Sequence, residues 1–378
     1  MKSESFGRLL YLSGLIILFL GEQPVASDPV NRPKPVFQIG DGGYACFRIP
    51  AIVKTNHGVL LAFAEARKHG CSDTGDIDLV LRRSGDSGKT WEPLQVLWDA
   101  GPDVVGNPSP VVDVETGTVW LLVTRNLGTD TEPMIIDGTS EDTRRIFILG
   151  SDDDGKTFSK PEEITASVKK ASWTWYATGP VHGIQLTSGQ YRGRLVIPCD
   201  HIEAVTKKYY SHIIYSDDHG KNWQLGGSTP QDQVNECTVA ELPGGRLMLN
   251  MRNYNREHKN RKISLSDDGG NTWSDLKDDP ELIEPICQAS LMTVSGGNKE
   301  VLCFLNPADT VVRKNLTLKL SIDNGKTWRI VTVLHKGPAA YSDMVQLNHS
   351  TLGCLYEAGE ASPYEGIYFQ RVTPGFKK

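Results

Sequence analysis

Arginines from separate repeats, three carboxylates and one tyrosine stand at matching places in a repeated strand pattern, and their types define a chemistry. Arg48, Arg252 and Arg313 come from different repeats. A guanidinium forks onto a carboxylate or phosphate through two parallel hydrogen bonds, so three that meet at one mouth make a clamp for a planar anion. Each alone could be a surface arginine paired with a nearby acid. Three together are costly to assemble unless an anion neutralises them. Glu236 and Tyr341 both begin strands of the pattern, so they can touch. A phenol with a pKa near ~10 is a weak nucleophile by itself. An adjacent carboxylate that takes its proton makes it a usable one. Asp73 lies among small residues, Cys71-Ser72-Asp73-Thr74-Gly75, in a loop suited to a mobile general acid, the plain alternative being a turn aspartate.

Two internal repeats define the elements that must position these residues. One octapeptide, Ser-x-Asp-x-Gly-x-Thr-Trp, recurs five times, at 84–91 (SGDSGKTW), 151–158 (SDDDGKTF), 216–223 (SDDHGKNW), 266–273 (SDDGGNTW) and 321–328 (SIDNGKTW). Its Asp can accept backbone N–H groups ahead of it, its Gly can take positive φ, and the aromatic can pin the turn to a core. A single copy resembles the start of a calcium loop, but none carries the acidic twelfth position between two helices. A turn repeated for folding fits all five.

The second repeat is a strand, a turn and another strand. First strands are expected at 47–53, 107–114, 179–186, 235–242, 287–294 and 341–347, and second strands at 59–64, 119–124, 194–198, 246–250, 300–305 and 351–356. In five units a third strand leads into the octapeptide. Six such units predict an all-β fold, a six-bladed β-propeller forming one domain. The sixth unit has no octapeptide, and residues 35–39 can supply its outer strand, closing the ring and removing an edge. In a four-stranded antiparallel meander the starts of first strands and the ends of second strands share a face. That face collects Arg48, Asn107, Glu236, Gln288 and Tyr341, and from the second strands and the loops beyond them Arg67, Asp73, Arg125, Arg252, Arg313 and Glu357. The octapeptides fall on the opposite face.

With those positions assembled, the chain resembles the exo-α-sialidases (neuraminidases). Phe47-Arg48-Ile49-Pro50 resembles their Phe/Tyr-Arg-Ile-Pro signature, and the octapeptides look like their Asp-boxes, also called BNR repeats. The resemblance runs from about residue 35 onward, and it implies retaining hydrolysis of terminal α-linked sialic acid. By resemblance, Arg48, Arg252 and Arg313 are the arginines that bind the substrate carboxylate. Asp73 resembles the acid/base aspartate, and Arg67 the arginine near the N-acyl and O4 side of the sugar. Glu236 resembles the glutamate that activates the nucleophile, Tyr341 the nucleophile, and Glu357 the acid that orients the first arginine. Phe158 for Trp and Asn222 for Thr depart from the octapeptide and affect turns only. Cys46 and Cys71 flank Arg48 and Asp73 closely, with no role that the resemblance assigns.

Composition bounds the alternatives. The 378 residues carry 40 Lys+Arg against 46 Asp+Glu, and this net acidity argues against nucleic acid as a partner bound through global charge. Helical stripes are hard to find, which excludes a helix bundle. The segment 9–20 (LLYLSGLIILFL) follows Lys2 and Arg8 and precedes small residues at 25–27, the order of a secretory signal. It is short for a membrane span. The expectation is therefore a signal over residues 1–27, a domain over 28–378, no stable membrane span after cleavage, and a secreted or lysosomal location, or a periplasmic one in a bacterium. Asn315-Leu-Thr and Asn348-His-Ser are sequons relevant in a eukaryotic host. The seven cysteines show no metal spacing and the nine histidines are scattered, so no metal or cofactor is expected. Two other readings compete with hydrolysis. A trans-sialidase would need an acceptor platform, which Trp173-Thr-Trp175-Tyr176 could supply. A carbohydrate-binding propeller could keep Asp-boxes for folding alone, but it would have no use for Asp73, Glu236, Tyr341 and three arginines together.

Overall fold

The computed structural model describes Met1, residues 32–295 and residues 300–376. The expected signal segment lies outside the described residues. Among the described residues the fold is nearly all β, with helix confined to Glu132–Asp137, Thr165–Val168 and a 3-10 turn at Asp41–Gly43. None of these helices is long and apolar enough to cross a membrane.

The strands form antiparallel meanders. Val234–Leu242, Arg246–Asn253, Asn260–Ser266 and Lys277–Ile283 make one complete four-stranded example. Arg329–Asn348 is twenty residues long because it serves two meanders in turn. Its first half pairs with Lys314–Ser321, and from Ala339 onward it pairs with Thr351–Ala358. The N-terminal strand Lys34–Gln38 pairs antiparallel with Gly366–Val372, near the C-terminus. The first and last described strands thus share one sheet, in which Lys34–Gln38 covers the edge that Gly366–Val372 would otherwise present. One first strand departs from expectation. Over 179–186 only Ile184–Gln185 pairs, and Trp173–Thr178 carries the main ladder to Leu195–Glu203. Gly179 at φ 55 and Pro180, which has no N–H to donate, break the strand between them.

Cys46–Lys54 and Leu60–Arg67 are buried on both faces, because each sheet packs against a neighbour on either side. One apolar cluster joins Phe37, Phe47, Ala64, Val80, Leu355 and Phe369, which brings the start and the end of the chain into one core. Fully burying such a side chain stabilises by about 1.5–3 kcal/mol.

The octapeptides close alike. In each, the Gly N–H donates to the hydroxyl of the leading Ser at 2.8–2.9 Å. That hydroxyl donates to the Asp, which also accepts the N–H four residues on, as in Ser84, Asp86 and Thr90. Asn222 substitutes for Thr without loss, since its Nδ2 donates to Asp218 at 2.6 Å where the other copies use a hydroxyl. Glycine is required twice over. Gly88 has φ 79, and a Cβ there would lie 2.0 Å from the Phe369 ring. Ser84 pairs with Leu60, at the far end of the ladder from the Ile77–Arg67 pair. Seven steps at about 3.3 Å separate the two ends by ~23 Å. The turns are therefore remote from Arg67 and its neighbours.

Candidate active site

Four first strands carry a bulge just where a candidate residue sits. The ladder shifts between Arg48 and Ala51, between Gly106 and Ser109, between Val234 and Cys237, and between Ala339 and Ser342. Two bulges contain a proline, Pro50 and Pro108, preceded by a residue in the left-handed region, Ile49 at φ 60 and Asn107 at φ 54. A bulge re-aims side chains and leaves N–H groups unpaired. Buried carboxylates collect those groups. Glu357 accepts from Ile49 N at 2.8 Å and Tyr341 N at 3.1 Å, and Glu65 accepts from Asn107 N at 2.9 Å. Gly106 permits that approach, because a Cβ would stand 2.3 Å from Glu65 Oε1.

The bulges turn Arg48, Asn107, Glu236 and Tyr341 into one polar cavity of about 350 Å³. Arg67, Asp73, Arg252 and Arg313 also line it. Glu357 lies behind the wall, fully buried, where its oxygens accept Arg48 Nε at 3.1 Å and Nη2 at 3.3 Å. Arg125 and Gln288, expected on this face, do not line the cavity. Arg125 pairs with Asp103, and Gln288 bonds the backbone carbonyls of Pro180 and Ser342.

Tyr341 stands at the centre. Its hydroxyl donates to Glu236 Oε1 at 2.5 Å and accepts from Arg252 Nη1 at 3.1 Å. Arg252 also reaches Glu236 Oε2 at 2.5 Å. The guanidiniums of Arg48 and Arg313 lie 5.1 and 5.5 Å from the centre of the Tyr341 ring. Burial, and then the Glu236 charge, push the phenol well above its ordinary pKa despite the three arginines, so it rests protonated. A hydrogen bond to a carboxylate is then the route by which that proton can leave as the oxygen bonds to carbon.

Asp73 is at the lip, with 72% of its side chain exposed, 2.7 Å from Arg67 and 3.6 Å from Arg48. Partial desolvation at the cavity mouth raises its pKa, but the charges of Arg67 and Arg48 outweigh that and hold the carboxyl below its usual value. Arg67 is itself fixed by Glu65, at 2.5 and 3.2 Å.

Several cavity residues escape sequence reasoning. Tyr364 donates no pattern signal beyond being a loop aromatic after Pro363, yet Arg48 stacks 4.1 Å from its ring centre and Arg313 donates to its hydroxyl at 3.0 Å. Arg144 bonds Asn126 and Asn107 and lies 4.0 Å over Trp175. Trp175 faces the cavity, whereas Trp173 and Tyr176 are buried in an apolar core, so that tetrapeptide is not an exposed aromatic platform. Glu132 opens a short helix capped by Thr131, whose hydroxyl accepts Met134 N, and it lines the rim. Asp200 is wholly buried at the cavity floor with neither carboxylate oxygen partnered. Burial, and then the nearby Glu236 charge, push its carboxyl well above the ordinary value and favour the neutral form.

Comparison with known proteins bears on the family and the fold. The family described as BNR repeat-like domain matches residues 58–354. A sialidase of Bacteroides fragilis is 35% identical over 346 residues, covering 85% of this chain and 62% of the relative. An exo-alpha-sialidase of Aspergillus fumigatus is 31% identical, covering 84% of this chain and 79% of the relative. Among solved structures, Hadza microbial sialidase Hz136 superposes with a TM-score of 0.82 at 33% identity, over 90% of this chain and 68% of that one. The nearly all-β fold and the repeats are those of this class of protein. The chain belongs to the exo-α-sialidase family with BNR (Asp-box) repeats. It spans about three fifths of the length of the Bacteroides relative.

Proposed function

We propose that this protein is a glycoside hydrolase, an exo-α-sialidase that removes terminal α-ketosidically linked sialic acid from glycoproteins, glycolipids or oligosaccharides with retention. The observation that carries the reading is the Tyr341–Glu236 hydrogen bond of 2.5 Å in a cavity lined by three arginines, Arg48 and Arg252 from separate strands and Arg313 from the loop before Lys314–Ser321. Arg48, Arg252 and Arg313 take the sugar carboxylate, with Arg48 held in line by Glu357. Arg67 faces the adjoining side of the ring. Asp73 protonates the leaving oxygen. Tyr341 Oη bonds to the anomeric carbon as its proton passes to Glu236. In the second half, Asp73 takes a proton from water, whose oxygen bonds to the anomeric carbon as the bond to Tyr341 Oη breaks and Glu236 returns its proton to that oxygen, which restores the original configuration. Sialidases are the known tyrosine-nucleophile exception among glycosidases. The choice has a physical reason: the reacting carbon bears a carboxylate, which repels an anionic nucleophile and not a neutral phenol. The oxocarbenium-like transition state then sits beside Glu236 and a developing phenolate.

The six-bladed β-propeller, one domain over residues 28–378, is part of the proposal. It is supported by five alike octapeptide turns and by the pairing of Lys34–Gln38 with Gly366–Val372. Export behind a cleaved signal at 1–27 is supported by the Cys46–Cys71 disulfide, since such bonds persist in oxidising compartments. The test is release of free sialic acid from a fluorogenic α-sialoside, with a β-galactoside as control. Cleavage of neither, or equal cleavage of both, overturns the reading.

A further inference from the structure

We propose that the Cys46–Cys71 disulfide is a positioning device for acid catalysis: it clamps the tip of the loop over residues 68–76 so that Asp73 is presented above the cavity. The proposal rests on the assignment of Asp73 as the acid made above. Cys46 is fully buried, two residues before Arg48 on the same strand. Cys71 is exposed, two residues before Asp73, and its Cα is 5.3 Å from that of Cys46. One covalent bond thus links the strand that carries the first clamp arginine to the loop that carries the acid.

The loop has a firm base and a sparsely held tip. At the base, Lys68 N donates to Asp76 O at 3.1 Å, Gly75 N donates to Gly128 O at 2.9 Å, and the Lys68 ammonium reaches Asp76 and Asp78 at 3.0 and 3.2 Å. The tip is bounded by Gly70 at φ 134 and Gly75 at φ 100, and a Cβ at either would meet nothing within 4 Å. Cys71, Ser72 and Asp73 are exposed. Among the described residues, besides the longer Arg48–Asp73 ion pair of 3.6 Å, two attachments hold this tip to the body. One is Arg67, whose Nη1 donates to Cys71 O at 2.7 Å and Ser72 O at 2.9 Å and contacts Asp73. The other is the disulfide. Arg67 alone is an exchangeable polar tether that must also serve the substrate, whereas the disulfide fixes the loop height whether or not substrate is bound. A misplacement of ~1 Å can cost a reaction about a hundredfold.

This role has a signature that mere structural support lacks. Proton donation matters in proportion to the basicity of the leaving oxygen, so a sugar alkoxide needs Asp73 and an acidic phenol does not. The experiment compares kcat/KM on sialyllactose and on a methylumbelliferyl α-sialoside for the wild type and for the Cys46→Ser/Cys71→Ser double variant. The expected result is a loss of about tenfold or more on sialyllactose with less than about threefold on the aryl substrate. In an Asp73→Ala background, removing the disulfide should lower sialyllactose turnover no further, because the pair acts only through Asp73. Equal losses on both substrates, no loss on either, or a further loss in the Asp73→Ala background overturn the proposal. A double variant without a cooperative melt is replaced by folded wild type treated with a phosphine reductant, which Cys71 leaves accessible. The same split is expected there, and its absence counts against the proposal equally. A wild type inactive on both substrates overturns the functional reading itself, an outcome the variants cannot mimic.

Discussion

Tyr341 donates its phenolic hydrogen to the Glu236 carboxylate across 2.5 Å, although the two residues lie 105 positions apart in the chain. Arg252 touches both partners, at 3.1 and 2.5 Å, so the three side chains form a single hydrogen-bonded unit, which the proposed mechanism uses as nucleophile, base and carboxylate ligand. A fluorinated sialosyl trap should therefore label Tyr341 in the wild type. Glu236→Gln keeps the shape but cannot take the proton, and it should lower kcat by about 10²–10⁴-fold. Peptide mapping of the trapped adduct checks the assignment, and a label on any other residue removes Tyr341 from the role.

The clamp makes its own prediction. Arg48→Lys, Arg252→Lys and Arg313→Lys keep the charge and lose the fork. Each charge-assisted hydrogen bond contributes about 1.5–3 kcal/mol, so kcat/KM on a sialoside should fall by at least about tenfold for each. Arg246 is the control. It pairs with Asp267 on the surface, far from the cavity, and Arg246→Lys should be nearly silent. Four variants with the same activity would remove the clamp from the mechanism.

The residues that sequence exposed are those that repetition marks. First strands expected at 47–53 and 235–242 are observed at Cys46–Lys54 and Val234–Leu242, because turn chemistry and alternation recur in each unit. Seven of the eight named site residues line one cavity, and Glu357 stands directly behind Arg48. What stayed hidden has no repeat to announce it. Tyr364 and Arg144 arrive from single loops and strand ends, and their sequence neighbours carry no register. Asp200 sits in a strand whose unit is irregular, since Gly179 and Pro180 break the preceding one. The Cys46–Cys71 bond was not legible either, because seven cysteines permit many pairings and only the cross-strand pairing of Cys46 with Arg67 brings Cys71 near.

The octapeptide turns should govern stability and leave turnover alone. Asp86, Asp153 and Asp323 are lowered to about 2, each through hydrogen bonds from the turn's hydroxyls and N–H groups that outweigh desolvation. Asp86→Ala should cost about 1–3 kcal/mol and lower the Tm, with kcat per folded molecule unchanged. These folded-state values lie below the unfolded value near ~3.9, so the stabilisation is full above pH ~4 and is lost as the pH falls toward ~2. An acid titration of the wild type should show that loss, with less of it in Asp86→Ala. A fall in kcat at unchanged Tm would assign the turns to the active site instead.

Asp73 ties the electrostatics of the empty site to the pH dependence of the reaction. As the acid, it must carry a proton when the glycosidic bond breaks, so the rate on sialyllactose falls as pH rises through its pKa. In the free protein Arg67 and Arg48 hold that pKa below the ordinary carboxylate range, and kcat/KM, which reports the free enzyme, should decline from a low pH. In the proposed complex the substrate carboxylate at Arg48 offsets the charge that depresses Asp73, and the sugar itself displaces water from the lip. Both changes favour the protonated acid. The alkaline limb of kcat should therefore lie at higher pH than that of kcat/KM. Asp73→Asn cannot titrate and should show a low rate without this limb. Coincident limbs in the wild type, or a limb that survives in Asp73→Asn, would assign the titrating acid to another group, with Glu132, whose carboxyl burial raises at the same rim, as the next to test.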